Sequence, residues 1–111
     1  MELKTHTEEN ALVVAVAGKM DAVTAPVYVE RLMEELDRGT LRLVVDCAEL
    51  EYVSSAGLRA ILTISKELRR RGGVQAYCAL REQVKEVFAI SGFDTIIPIH
   101  DTRDAALASL A

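Results

Sequence analysis

The sequence predicts a single α/β domain, with a mostly parallel or mixed sheet of four to five strands and about four helices packed on it. Three observations carry this reading. Short apolar, β-branched runs alternate with segments of helical periodicity. Half of the 111 residues are apolar, enough to bury a core without metal or disulfide staples. No linker-like composition, internal repeat or charge block interrupts the chain, so one domain spans residues 1–111.

The elements follow in order. "ELKTHTEE" alternates weakly and gives a first strand with Leu3 and Thr5 inward and His6 outward, turning near Asn10. "ALVVAVA", residues 11–17, is a second strand buried on at least one face and ended by Gly18. Residues 21–39 place Val29, Leu32, Met33 and Leu36 at i, i+3, i+4 and i+7, with Pro26 in the first turn and Gly39 past the end. That is an amphipathic helix with its start and stop signals. "LRLVVDCAEL", residues 41–50, is a third strand, and residues 55–71 form a helix with Leu58, Ile61, Leu62 and Leu68 on one stripe. Arg69, Arg70 and Arg71 precede Gly72 and Gly73, where cations complement the negative end of a helix dipole. "VQAYCAL" is a strand, and "REQVKEVFAISG" a helix turning Val84, Val87 and Phe88 inward. "TIIPIH", residues 95–100, is a last short strand whose Pro98 suits an edge. "DTRDAALASLA" closes the chain as a helix started by Asp101 or Thr102. Alternating strands and helices call for parallel pairing through right-handed crossovers.

Charge and motifs exclude several functions. A formal charge of −4 with both signs interspersed gives no footprint for nucleic acid or anionic lipid, so any effect on transcription is expected to be indirect. No P-loop, no G-x-G-x-x-G and no metal-ligand spacing occurs, and no cofactor is expected. Cys47 and Cys78 lie inside apolar runs, outside any C-x-x-C spacing, and read as buried free thiols of a reducing compartment. No apolar run reaches the roughly 18 residues that span a bilayer, and no signal-peptide pattern follows Met1. The expected location is the cytoplasm.

One junction concentrates the chemistry. In "EYVSSAGLRAIL" two serines stand between an acidic extended segment and a helical one. Either Ser54 or Ser55 could cap the helix by accepting an unpaired backbone N–H. A nucleophile is disfavoured: Val53 occupies the place of the leading glycine in G-x-S-x-G, and the only imidazoles, His6 and His100, lie far off in sequence. The third reading makes Ser55 a phosphoacceptor, because a helix N-terminus stabilises an added anion. Asp21, Asp46, Glu49 and Glu51 would then form an acidic surround, so that phosphate displaces a partner while the fold tolerates it.

Three stretches, "GKMDAVTAP", "LVVDCAELEYVSSAGLRAIL" and "VKEVFAISGFDTIIPIHDTRDAALASL", resemble in order and spacing the STAS domain of bacterial anti-sigma factor antagonists. The resemblance spans nearly the whole chain. It implies a STAS fold and a protein that, unphosphorylated, binds an anti-sigma factor that is also an ATP-dependent serine kinase, and so frees a sigma factor. Phosphorylation by that kinase ends the interaction, and a PP2C-type phosphatase restores it; the ATP belongs to the partner. The family motif D-S-[ST]-G-L places its phosphoacceptor on Ser55, with Gly57 and Leu58 following. Here the chain departs from the motif: Ser54 occupies the aspartate position and Ala56 a hydroxyl position.

Asp21 and Asp46 match family aspartates and sit at strand ends, where open α/β sheets place binding surfaces. The expected partner-binding set is therefore Asp21, Asp46, Ser54, Ala56, Gly57 and Leu58, although both aspartates could instead cap turns and Leu58 could be core. The alternative function is a STAS scaffold or regulatory subunit of a larger sensory assembly or a transporter.

Overall fold

The computed structural model describes residues 1–111 and contains five strands, four α-helices and one 3-10 turn. In chain order these are β1 (Glu2–Glu8), β2 (Ala11–Met20), α1 (Ala25–Asp37), β3 (Arg42–Val53), α2 (Ser55–Arg70) and β4 (Val74–Cys78). They continue as α3 (Glu82–Ile90), a 3-10 turn (Phe93–Thr95), β5 (Ile99–His100) and α4 (Arg103–Ser109). The sheet runs in chain order from β1 to β5. β1 is antiparallel to β2 through the tight turn at Glu9 and Asn10, both at positive φ, and all later pairs are parallel.

Alternation along the central strands divides the core. Val14, Val16, Leu43, Val45, Cys47 and Tyr77 face α1, α2 and α3, while Val13, Val44, Ala76 and Cys78 face Ala106, Leu107 and Leu110 at the C-terminal end of the chain. The mixed sheet is thus covered on both faces, as parallel strands require. Both cysteines are free and buried, and burial pushes the Cys78 thiol up to about 11 and that of Cys47 higher still.

Several boundaries differ from the sequence reading for local reasons. β3 runs on to Val53 because two register shifts, one after Asp46 and one after Leu50, return first Leu50 and then Val53 to the core face while Glu49 and Glu51 stay in solvent. The expected strand at residues 95–100 shrinks to Ile99–His100: Ile97 plugs the core, and Pro98, which has no N–H, contributes only its carbonyl to Tyr77 N–H. On α1 the buried line is Ala25, Tyr28, Leu32, Glu35 and Leu36, leaving Val29 and Met33 half-buried. On α2 it is Gly57, Ala60, Ile61, Ile64, Ser65 and Leu68, with Leu62 half-buried beside it.

Candidate functional site

The site forms where the C-terminal ends of β2 and β3 meet the first turn of α2. Ser54 leaves β3 in an extended conformation and caps α2: its Oγ accepts the Gly57 N–H at 3.2 Å. Its own N–H donates to the Met20 carbonyl at 2.9 Å, which ties the helix start to the end of β2. Gly57 makes that approach possible. A Cβ at this position would lie 2.5 Å from the Met20 carbonyl oxygen and 3.0 Å from Val53 Cγ1.

Ser55 is the first residue inside the helix, exposed, and its hydroxyl has no partner within the protein. The two serines therefore divide the roles that the sequence left open. Ser54 spends its oxygen on the backbone, while Ser55 stands free at the positive end of a 16-residue helix. Neither imidazole is beside it: His6 lies on β1 against Glu8, and His100 on β5, at the two edges of the sheet.

Asp21 is the residue after Met20, so it flanks the serine junction. Its Oδ1 accepts the N–H groups of Val23 and Thr24 at 3.0 and 3.1 Å, and its carbonyl accepts the Ala25 N–H. These bonds, the Thr24 one foremost, hold its carboxyl below the usual carboxylate range. Asp21 thus shapes the turn into α1 and presents Ala22 and Val23 to solvent, Val23 being 81% exposed.

Asp46 is not part of this rim. Its side chain lies on the α4 face of the sheet, where Oδ2 accepts from Arg103 Nε and Nη2 at 3.1 and 2.8 Å and Oδ1 accepts the Ala48 N–H. Alternation along β3, which puts Cys47 toward α2 and Asp46 away from it, separates this aspartate from Ser55. Among the other expected contact residues, Ala56 and Leu58 are half-exposed, and Leu58 also packs on the core; Gly57 is buried and offers no surface.

The structure adds surface that sequence reasoning missed. An open groove of about 580 Å³ runs between α1 and α2, lined by Ala22, Pro26, Val29, Ala56, Arg59 and Thr63 among others. Val27, 53% exposed, stands on the same helix. The groove's signal in the sequence was that Ala22, Pro26 and Ala56, small and apolar, fall off the stripes that α1 and α2 bury.

The sequence profile of the STAS domain matches residues 2–106. The chain belongs to the STAS domain family. Within it, an anti-sigma factor antagonist of Bordetella bronchiseptica, BtrV, is 37% identical over 98% of this chain and 94% of its own length. The anti-sigma-B factor antagonist of Bacillus subtilis is 32% identical over 82% of this chain and 83% of its own. The crystal structure of an anti-sigma factor antagonist from Thermotoga maritima superimposes with a TM-score of 0.93, covering 97% of this chain and 93% of that one at 20% identity, a likeness of fold. The STAS assignment accounts for the five-strand mixed sheet with four helices seen here.

Proposed function

We propose that this STAS domain is an anti-sigma factor antagonist that binds, in its unphosphorylated form, an anti-sigma factor with serine kinase activity, and that phosphate on Ser55 ends the interaction. The observation that carries the proposal is the free, exposed Ser55 hydroxyl at the N-terminus of α2, beside the apolar groove between α1 and α2. The sequence relatives named as anti-sigma factor antagonists supply the class of partner.

The physical logic is local. Unmodified, the surface formed by Ala22, Val23, Pro26 and Ala56 is apolar, with Glu30 and Arg59 as the charged groups of the groove, and is suited to a complementary protein face. A phosphate on Ser55 brings a charge of about −1.5 to −2, which the unpaired N–H groups of the first helical turn and the dipole stabilise. The fold stays, and a partner docked flush on Ser55 must desolvate a dianion or leave. ATP and the transfer chemistry belong to the partner kinase, and a PP2C-type phosphatase resets the serine.

Co-purification from the native cells tests the reading. Wild type is expected to retain an anti-sigma factor that Ser55→Asp loses, and Ala22→Glu, which places a charge in the groove, is expected to lose it as well. Recovery of a large assembly equally with wild type and Ser55→Asp would favour the scaffold role instead.

A further inference from the structure

At the opposite end of α2 from Ser55 the fold leaves a second recess, of about 510 Å³. It exists because β5 is so short. β5 pairs only with Tyr77 and Cys78, so the first residues of β4 have no strand outside them, and the gap is walled by the C-terminal part of α2, the Ile96–Pro98 segment and the end of the chain after α4.

Two cations, Arg42 from β3 and Arg69 from α2, face this recess, and no acidic side chain does; the backbone carboxyl end at Ala111 lines it too, without an ion pair to either arginine. Five other arginines, Arg31, Arg38, Arg70, Arg71 and Arg103, bridge to carboxylates, while Arg59 stands free in the groove and Arg81 donates to the Ala48 carbonyl. Arg42 and Arg69 have no such partner, and the Arg42 Nε is closed off from solvent with no hydrogen bond at all. A buried donor left without a partner is destabilising. The dipole at the end of α2 explains Arg69 alone, since Arg42 is on a strand. Gln75 accepts the Ser65 hydroxyl and keeps its amide N–H groups free at the same wall, while Leu68, Ile96 and Pro98 make the remainder apolar.

We propose that this recess binds a small organic oxyanion, a phosphate monoester or carboxylate held by Arg42 and Arg69 with its apolar part against Leu68, Ile96 and Pro98. Guanidinium groups bind both oxyanions in the same bidentate manner. A concave recess walled on three sides takes a small molecule more readily than a flat protein face.

The test is amide-resolved NMR of the full chain titrated separately with phenyl phosphate, benzoate and inorganic phosphate. Phenyl phosphate or benzoate is expected to shift the Gln75 and Ile96 amides saturably, with a Kd of about 1 mM or tighter, and to leave Ser55 and Ala56 unmoved. The tighter of the two probes identifies the oxyanion. Arg42→Gln and Arg69→Glu are each expected to weaken binding about tenfold or more. Arg69 is exposed, so its variant remains informative if Arg42→Gln fails to fold. Three results overturn the proposal: no saturable shift with either organic probe at ~10 mM, unchanged affinity in Arg69→Glu, or inorganic phosphate binding as tightly as phenyl phosphate.

Discussion

Ser54 and Ser55 differ by one position and by everything that follows from it. Ser54 is an N-cap, and an aspartate caps as well as a serine. This explains how the chain departs from the family motif at position 54 without losing the helix start. Ser54→Ala is therefore expected to lower stability by about 1 kcal/mol, and Ser54→Asp to leave it nearly unchanged, by denaturant unfolding. Gly57→Ala is a harsher change, because the new methyl meets a backbone carbonyl and cannot be relieved by a side-chain rotation. Its cost is expected at about 1–3 kcal/mol, with the Ser54 and Ser55 amide resonances displaced as α2 shifts off β2. At this scale the candidate site was partly legible. The register of Ser55 against Gly57 could be read in the residue string, and so could a capping serine, but which serine caps depends on where β3 ends. Asp46 was misplaced because its role rests on Arg103, 57 residues away, and no local pattern announces such a pair.

Among the elements, α2 organises both ends of the molecule, with Ser55 at its start and a knot of charge at its finish. Glu67 accepts from Arg70 and from Arg71, and Arg71 also reaches Asp37 of α1 at 2.9 Å. These bonds, Arg70 first, pull the Glu67 carboxyl from its ordinary 4.5 down to about 2. A depressed folded pKa gives stability that is present above 4.5 and is lost as pH falls toward 2. Carbon-detected NMR titration is expected to place the Glu67 midpoint near 2, and Arg70→Gln to raise it. The strongly periodic helices were the easiest elements to read. Strand ends were harder, since β3 continues through two register shifts that alternation alone does not reveal, and β5 gives way to a 3-10 turn and a core-filling Ile97.

For the whole molecule, the sheet holds two separate apolar layers together, and within the dry core lies a hydrogen bond between the hydroxyls of Tyr28 and Tyr77, at 2.8 Å. It joins α1 to β4 through the larger layer. Tyr28→Phe strands the Tyr77 hydroxyl in a dry core and is expected to cost about 1–3 kcal/mol, whereas Tyr28→Phe with Tyr77→Phe is expected to recover most of it. A double-mutant cycle by thermal unfolding reads this coupling. The α/β class, the single domain and the parallel pairing were all legible, because they follow from alternation and composition. The Tyr28 contact was not, because its partner Tyr77 lies 49 residues away and no local pattern pairs them.

The central claim is that Ser55 is the switch. Phosphopeptide mass spectrometry of the chain isolated from its native cells, wild type beside Ser55→Ala, tests it most directly. The account predicts one phosphate, on Ser55, absent from the variant. Phosphate on Ser54, or none under any growth condition, would contradict it.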